Sequence, residues 1–467
     1  MRKGFLSILL IGLAAVSTVI LAQSQDVLIR NATVLTAAKG KLENTDLLIQ
    51  KGKIARIGKN LQAGANARVI DATGKFVSPG IIDGHSHAMI QGGVNESSYS
   101  VTSMTGILDV LDPNDISIYR ALAGGVTALH LLHGSANAIG GKNAIVKIKY
   151  GRPIEEFMIA DAPPGIKFAL GENSKRSNFQ PQPGQTRRYP GSRMGVNETI
   201  RDAFVRARDY KAEWDEHREK VRKNDKTAVA PRRDLELEPI VEILEGKRDV
   251  HSHGYRGEEF LALLQLAEEF GFRVKVLQHG LEAYKIAPEI ARHGAGVSIF
   301  VDSWAYKIEA YDAIPYNAAI LWKNGVVVSI NSDSDERVRR LNLDAAKVTK
   351  YGDVPEEEAL KMITLNPAKQ LGIDKRTGSI EVGKDADIVI WTAHPFSAYA
   401  RAETTMIEGE VYFDRTQDAV NRLAMERERL ELEKADVNRA PASGGAPPRI
   451  PAEKRLKDRD EADGGNR

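Results

Sequence analysis

The middle of the chain alternates short apolar runs with helix-like stretches, and this alternation restricts the folds open to it. Apolar runs at residues 125–129, 274–277 and 326–330 have the length and composition of buried strands, and residues 257–270 between two of them have helical character. Such alternation is typical of βα units that join in one parallel sheet. Residues 77–375 are long enough for that sheet to close, so the sequence predicts an α/β fold with a (β/α)8 TIM-like barrel.

Both flanks of this region consist of short strand-like runs separated by glycines. Residues 23–76 contain several such runs before the barrel region, and residues 376–415 contain more of them after it. Short runs bounded by glycine turns are typical of β-strands. We predict that the two flanks pair into one small β-sandwich module with the barrel inserted between them.

Two further stretches depart from the alternation. Residues 173–240 begin polar and proline-rich and continue as a charged, helix-like run at residues 203–223. We interpret them as an insertion on the face of the barrel where the strands end and where loops shape substrate access; the alternative is a solvated hairpin with no contact to substrate. The composition of residues 416–467 predicts a charged helix followed by a disordered tail rich in proline, glycine and charge. Such a tail has the composition of an interaction segment.

The N-terminus has the layout of a secretory signal peptide. Arg2 and Lys3 precede an apolar run at residues 5–21, which small and polar residues follow. The alternative is a membrane anchor, because the run is close to the shortest length that spans a bilayer. Small and hydroxyl residues interrupt the run and no positive charge follows it, so we predict cleavage after residue 22. The mature protein is then exported, periplasmic or secreted, and has no stable membrane anchor.

Composition excludes several kinds of site. The 467 residues include no cysteine, which excludes disulfides, thiolate metal ligands and a cysteine nucleophile. The formal net charge of +2 is nearly balanced and gives no argument for a nucleic-acid partner. The expected partner is a small-molecule substrate, and the sequence leaves homo-oligomerisation open.

The strongest local signal for chemistry is a pair of histidines two positions apart, His85 and His87. Residues i and i+2 of a strand point to the same side, so this pair can present two imidazoles to one metal ion. Imidazole suits zinc and similar first-row ions, and a centre with an open coordination position is a catalytic one. A bare pair of this spacing is a weak signal, and the residues around it make it specific.

Three segments in order resemble the amidohydrolase superfamily, and within it the imidazolonepropionase-like hydrolases that include several metallo-dipeptidases. They are residues 79–87 (PGIIDGHSH), 364–369 (TLNPAK) and 383–389 (GKDADIV). The resemblance covers nearly all of the mature chain up to Asp414. It implies a barrel whose metal ligands lie at successive strand ends and which holds one or two divalent ions, Zn²⁺ or another first-row metal.

Matched position by position, the resemblance implies a set of metal ligands: His85, His87, His251, His279 and Asp333. It implies that His253, on the same strand face as His251, contacts substrate or supports a ligand. Asp333 beside an activated water can accept its proton and act as the general base.

The fourth-strand ligand has two candidates. Two-metal relatives use a lysine carboxylated on its amine, and Lys167 stands at the corresponding place; a lysine in an apolar strand is costly unless it is paired or modified. One-metal relatives use a glutamate, and Glu172 closes the same strand. An odd number of positions separates the two, so a regular strand would not aim both inward, and we favour Lys167.

Three other residues are candidate substrate contacts. Asn137 lies in a glycine-rich loop and could donate to a developing oxyanion, or that loop could be only a tight turn. Arg193 and Arg256 could pair with a free carboxylate on the substrate, although surface arginines usually have no such role. His130 and His133 are three positions apart, the wrong spacing for one strand face, which favours packed or hydrogen-bonded histidines.

The sequence therefore predicts an enzyme that hydrolyses a carbon–nitrogen bond, in an amide, a dipeptide or a cyclic amide, by metal-activated water. One alternative is a mononuclear, deacetylase-like hydrolase, and another is an inactive barrel that acts as a binding protein. A deaminase is disfavoured, because His251 is not followed by the glutamate three positions on that deaminases of this scaffold favour.

Overall fold

The computed structural model of the protein describes residues 25–175, 184 and 188–437. The predicted signal peptide and the predicted disordered tail lie outside these residues. The strands are β1 (Val27–Leu35), β2 (Lys41–Gln50), β3 (Lys53–Gly58), β4 (Arg68–Asp71), β5 (Phe76–Pro79), β6 (Ile81–Ser86), β7 (Val126–Leu131), β8 (Ile139–Lys142), β9 (Ala144–Lys147), β10 (Gly165–Ala169), β11 (Asp249–Gly254), β12 (Val274–His279), β13 (Gly296–Ile299), β14 (Val328–Ile330), β15 (Ile388–Trp391), β16 (Ala402–Ile407) and β17 (Glu410–Asp414). The helices are α1 (Ile116–Leu122), α2 (Gly171–Ser174), α3 (Arg193–Arg222), α4 (Glu238–Leu244), α5 (Gly257–Phe270), α6 (Ala287–His293), α7 (Asn317–Lys323), α8 (Leu341–Gly352), α9 (Glu356–Lys361), α10 (Leu365–Gln370) and α11 (Arg415–Val437).

One sheet joins strands from both ends of the chain. Its order is β17-β16-β15-β5-β1-β2-β3, and β4 pairs in parallel with β1. Apolar residues such as Ile29, Leu47 and Ile388 from different parts of the chain meet in one core beneath it. The pairing of the two flanks is therefore observed, while their packing as a sandwich stays a prediction.

The central strands form two ladders. The first has the order β14-β13-β12-β11-β10-β8 and the second the order β6-β7-β9. Strands β10 to β14 are parallel to one another, and so are β6 and β7. The backbone N–H of Asp333 donates to the carbonyl of His85 at 3.0 Å, which connects the segment after β14 to β6.

Strands β8 and β9 depart from the predicted parallel pattern. They are separated only by Asn143, and they run antiparallel to β10 and β7 respectively. Residues 132–138, between β7 and β8, are too few to hold the crossover helix that a parallel connection needs. The chain therefore turns back and fills the place between β7 and β10 in the opposite direction.

Helix α5 shows how the helices attach to the central strands. Its buried side chains Phe260, Leu263, Leu264 and Ala267 recur at the spacing of one helical face. The helix ends where Gly271 adopts the left-handed conformation, with φ of 77°.

Helix α3 lies within the predicted insertion and starts earlier than the charged run at residues 203–223. Ser192 caps its first turn by accepting a hydrogen bond from the N–H of Gly195. One face of the helix is buried, and the Phe204 ring stacks on Phe272 with centroids 4.4 Å apart. The helix is therefore packed against the protein as far as Tyr210 and is partly or fully exposed beyond it, and the role of the insertion in substrate access stays a prediction.

Helix α11 begins at Arg415, directly after β17, and covers the first part of the segment predicted as a charged helix. No helix in the described part of the chain is long and apolar enough to cross a membrane.

A buried lysine ties β9 to the segment that carries the GKDADIV motif. Lys147 is 2% exposed, and its Nζ lies 2.7 Å from Asp385 Oδ2, 3.0 Å from Asp387 Oδ2 and 3.0 Å from Glu408 Oε1. A buried ammonium is tolerated only where carboxylates surround it in this way. The two aspartates of the motif are thus explained by an ion cluster, which we call the Lys147 cluster, rather than by chemistry.

Candidate metal centre

The two histidines at the end of β6 meet an aspartate from the segment after β14. His87 Nε2 lies 2.9 Å and His85 Nε2 3.3 Å from the same oxygen of Asp333. His85 is fully buried, whereas the side chains of His87 and Asp333 are 13% and 26% exposed. The cluster is therefore closed beneath His85 and opens to solvent on the side of His87 and Asp333.

The tautomer of His85 is set by Gln278. The amide nitrogen of Gln278 faces the Gly84 carbonyl at 3.4 Å, so its Oε1 faces His85 Nδ1 at 3.2 Å. A carbonyl oxygen can only accept, so Nδ1 carries the proton and Nε2 presents a lone pair toward Asp333. Burial, and then Lys167, lower the pKa of His85 well below its usual value, so the ring is in the neutral form that binds metals.

His279 completes the compact part of the cluster. Ligand atoms of His279, His85 and Asp333 all lie within 4.8 Å of one another. The ring of His279 packs against that of His85 with centroids 4.5 Å apart. The imidazole is fully buried, and neither of its nitrogens has a hydrogen-bond partner among the residues that the structure describes.

Two ligand candidates sit in left-handed backbone conformations. His279 has φ of 69° and Asp333 has φ of 49°, values that residues other than glycine rarely adopt. At His279 this breaks the regular alternation of β12, so that the adjacent Gln278 and His279 both reach His85. Strain of this kind is concentrated at functional sites, where the surrounding structure holds it in place.

Asp83, which the sequence analysis did not single out, holds two of these segments together. Its carboxylate accepts hydrogen bonds from the N–H of His85 at 3.2 Å and of Ser332 at 3.1 Å. The Ser332 hydroxyl donates to its second oxygen. Because these bonds run from β6 to the residue before Asp333, Asp83 fixes the spacing between His85 and Asp333.

Of the two fourth-strand candidates, Lys167 reaches the cluster. Its side chain is fully buried on β10, with Nζ 3.1 Å from His85 Nε2 and 3.2 Å from the His133 carbonyl. Burial lowers the pKa of Lys167 to about 7. Glu172 lies in α2, beyond the end of the strand, on the side of Tyr306 and Lys307.

The two histidines of β11 have different neighbours. The ring of His251 packs against His130, with centroids 4.5 Å apart, and its Nδ1 has no hydrogen-bond partner in the described part of the chain. The ring of His253 packs against His279 with centroids 4.7 Å apart, and its Nδ1 lies 2.9 Å from Ser135 Oγ. His253, rather than His251, is therefore the neighbour of His279.

His130 and His133, interpreted from their spacing as packed or hydrogen-bonded histidines, do have structural contacts. His130 Nδ1 lies 3.0 Å from the Gly84 carbonyl, and His133 accepts from the N–H of Glu96 at 2.8 Å while its Nδ1 faces the Gly134 carbonyl.

The expectation that Asn137 donates to an oxyanion is wrong. The residue is fully buried, and its amide nitrogen donates to the carbonyls of Glu96 and Tyr99 and to Thr102 Oγ1 at 2.6–2.9 Å. Its donors are thus used to hold residues 96–102 in place. The glycine-rich sequence around it correctly marked a tight loop, but the loop has a structural role.

Arg193 and Arg256 are not available as expected for a substrate carboxylate. Arg193 forms ion pairs with the buried Glu259 and Glu309. Arg256 donates from Nε to Glu258 at 2.6 Å. Each guanidinium therefore already has a carboxylate partner of its own.

A group of residues that the sequence analysis missed lies beside His253 and His279. Lys307 Nζ lies 4.3 Å from the centroid of the Tyr255 ring and donates to Asn173 Oδ1 at 3.2 Å. The Tyr255 ring is in turn 5.7 Å from that of His279. Only the tyrosine in the motif HSHGY, two positions after His253, could have signalled this group.

The donor set fits a divalent ion of the zinc type. Neutral imidazoles and a carboxylate converge, and within the described ranges the buried nitrogens of His279 have no hydrogen-bond partner. Buried polar atoms without partners are rare in folded proteins and need an explanation, which a coordinated ion supplies. Asp333 would then be one of its oxygen ligands, since His279 and His87 hold its pKa below the usual range although burial opposes this.

Comparison with known proteins identifies the family of the chain. The model of the amidohydrolase family matches residues 76–412. The amidohydrolase tasK of Hapsidospora irregularis is 31% identical over 398 residues, which are 79% of this chain and 40% of that protein. The imidazolonepropionase of Thermoplasma volcanium is 23% identical over 403 residues, 80% of this chain and 92% of its own length.

A solved structure is similar over its whole length. The amidohydrolase from Thermotoga maritima superposes with a TM-score of 0.74 and 34% identity, covering 83% of this chain and 100% of that one. These matches confirm the resemblance drawn from the three sequence segments. The chain therefore belongs to the amidohydrolase family.

Proposed function

We propose that the protein is a metal-dependent hydrolase that cleaves a carbon–nitrogen bond in an amide, a dipeptide or a cyclic amide, on a closed (β/α)8 barrel. The observation that carries this proposal is the convergence of His85, His279 and Asp333, whose ligand atoms lie within 4.8 Å of one another. Membership of the amidohydrolase family supports a hydrolase with a small-molecule substrate.

The ligand set we propose keeps the expectation for β11: His85, His87, His251, His279 and Asp333. His251 is supported because it pairs in register with Lys167 on β10. Both nitrogens of His253 already face polar partners, Ser135 Oγ and Asn173 Nδ2, so we propose that His253 contacts substrate or supports a ligand.

For the fourth-strand ligand we propose Lys167, carboxylated on its amine, rather than Glu172. The support is geometric, because Lys167 Nζ already lies 3.1 Å from a ligand nitrogen of His85. A carboxylated lysine would supply anionic oxygens between two ions, so this assignment goes with a centre of two divalent ions.

The chemistry follows from the open side of the cluster. A divalent ion bound there would make a water molecule more acidic and polarise the scissile carbonyl. Asp333 is the carboxylate on the open side, 26% exposed, and it accepts the proton of the attacking water. It then returns that proton to the leaving nitrogen, so that one residue serves as base and then as acid.

Metal content tests the proposal. The mature protein, purified with bicarbonate, is expected to contain about two ions per chain by inductively coupled plasma mass spectrometry, and the double variant His85→Ala/His87→Ala none. Lys167→Met should lose metal while Glu172→Gln keeps it. The intact mass of the same sample should correspond to a chain without residues 1–22, as we propose for an exported, periplasmic or secreted protein.

Other outcomes would change the assignment. About one ion per chain, lost in Glu172→Gln, would favour a mononuclear, deacetylase-like hydrolase. Metal no higher than in the double variant, together with no turnover of dipeptides, N-acyl amino acids or cyclic amides, would contradict the proposal and leave a binding protein.

A further inference from the structure

The Lys307 ammonium lies beside the candidate metal centre. It donates to the neutral amide oxygen of Asn173 at 3.2 Å and lies over the Tyr255 ring, 4.3 Å from its centroid. It forms no ion pair with any residue in the described part of the chain. Arg193 and Arg256, in contrast, are both paired with carboxylates.

Two side chains connect this ammonium to the metal centre. Asn173 bridges the two, with Oδ1 toward Lys307 and Nδ2 3.4 Å from Nε2 of His253. The Tyr255 ring bridges them a second time, because its centroid lies 4.7 Å from that of His253 and 5.7 Å from that of His279. A ligand group bound at Lys307 is therefore separated from the histidines of the candidate metal centre by about the length of one side chain.

Lys307 is only partly exposed to water. The Tyr255 ring under its ammonium is 1% exposed, and the Tyr306 ring, which is 40% exposed, has its centroid 5.6 Å from Nζ. Glu172, Glu309 and Asp333 favour the charged form of Lys307 electrostatically. A partly dehydrated cation without an ion-pair partner is stabilised further when an anion binds to it. Aromatic faces hold the cation in place, but they do not neutralise it.

We propose that Lys307, assisted by the Asn173 amide, binds a free carboxylate of the substrate. The substrate class is then a short amide whose carboxylate lies within one residue of the scissile bond, such as a dipeptide or an N-acyl amino acid. A single ammonium matches the single charge of a carboxylate better than the double charge of a phosphate. This inference rests on the proposed hydrolase function and names the substrate class for the same site.

Matched substrates and variants test the proposal. The probes are dipeptides and N-acetyl amino acids, each compared with its own C-terminal amide, which is neutral and nearly the same size. Wild-type protein should prefer the acid. Lys307→Met should raise KM for the acids about 10- to 100-fold, as expected for loss of a charge-assisted hydrogen bond, and leave the amides nearly unchanged. Lys307→Arg should restore much of the preference.

Arg256→Met is the matched control, because Arg256 lies near the same strand end but is paired with Glu258. It should leave the preference for acids intact. Equal metal content and thermal midpoint in all variants would show that the fold and the centre are retained. A wild type that does not distinguish acids from amides, or a Lys307→Met variant that still prefers acids, would overturn the inference.

Failure of the proposed function gives a different pattern. If the metal-loaded wild type hydrolyses none of the probes, calorimetric titration of the same acids and amides still decides the role of Lys307. Acids that bind the wild type more tightly than Lys307→Met support the carboxylate site without hydrolysis. Equal binding to both proteins overturns it.

Discussion

Gln278 determines which nitrogen of His85 faces the candidate metal. Its Oε1 lies 3.2 Å from His85 Nδ1 and keeps the proton there. Partners of this kind typically contribute 10- to 100-fold in metal affinity. We therefore expect Gln278→Leu to weaken zinc binding by about that factor, measured by competition with a chromophoric chelator.

Gln278→Glu is the control for this prediction, since it keeps an acceptor oxygen opposite Nδ1. It should bind zinc within a few-fold of the wild type. If Gln278→Leu binds zinc as tightly as the wild type, the tautomer of His85 does not depend on this contact.

At the residue scale, the sequence predicts ligand candidates better than their surroundings. His85 and His87 could be found because their spacing puts both on one strand face, and the structure brings both to Asp333. Lys307 could not be found, because its position beside Tyr255 depends on how distant loops pack. The misassignment of Asn137 has the same cause, since its partners are backbone carbonyls about 40 residues earlier.

At the scale of elements, the pattern of βα units was predictable, and the antiparallel direction of β8 and β9 was not. Periodicity indicates that a segment is a strand, but it carries no information about direction. The short connection at residues 132–138 was the available signal for the reversal of β8 and β9. Similarly, the charge of α3 suggested a solvated helix. In the sequence, the buried face that includes Phe204 is marked only by small and apolar residues at intervals between charged ones.

The contact between α3 and α5 places two carboxylates around one guanidinium. Glu259 on α5 and Glu309 both pair with Arg193 at the start of α3. Burial, and then Glu309, raise the pKa of Glu259 to about 7. The folded protein therefore keeps a proton that the unfolded chain releases near pH 4.5.

This raised pKa predicts a loss of stability as pH rises. Between about pH 4.5 and 7 the unfolded chain binds fewer protons than the folded one, so the free energy of unfolding falls across that window, by about 2–3 kcal/mol. Glu259→Gln cannot ionise, so its stability should exceed that of the wild type above pH 7 and match it more closely near pH 4.5. Urea unfolding at a series of pH values measures the difference.

Glu258→Gln provides the comparison, because this neighbour is exposed and pairs with Arg256. It should follow the wild-type dependence on pH. A Glu259→Gln variant with the same decline as the wild type would show that another group causes it.

At the scale of the whole molecule, the two flanks of the chain depend on the central strands for their attachment. Strand β5 leads directly into β6, so the terminal sheet and the first ligand strand are covalently continuous. The return of the chain has no such continuity with β6, and the segment around Asp385 and Asp387 reaches β9 through Lys147. The sequence predicted the pairing of the flanks from glycine-bounded strands, but the role of this lysine depends on residues more than 200 positions apart.

Removal of this lysine should loosen the terminal sheet and leave the metal centre intact. Lys147→Met keeps the length of the side chain, leaves Asp387 buried without its cation and leaves Asp385 with Lys53 and Arg376. We therefore expect the free energy of unfolding to fall by about 3–5 kcal/mol, mainly through Asp387. Lys149→Met removes only the contact with the partly exposed Glu408 and should cost about 1 kcal/mol or less. Urea unfolding followed by far-UV circular dichroism compares the two, and metal content of the folded variants should equal that of the wild type.

Equal destabilisation by both substitutions would contradict the prediction, because the Lys147 cluster would then add nothing beyond an ordinary surface ion pair. A second transition that appears only in Lys147→Met would show that the cluster makes the terminal sheet and the central strands unfold together.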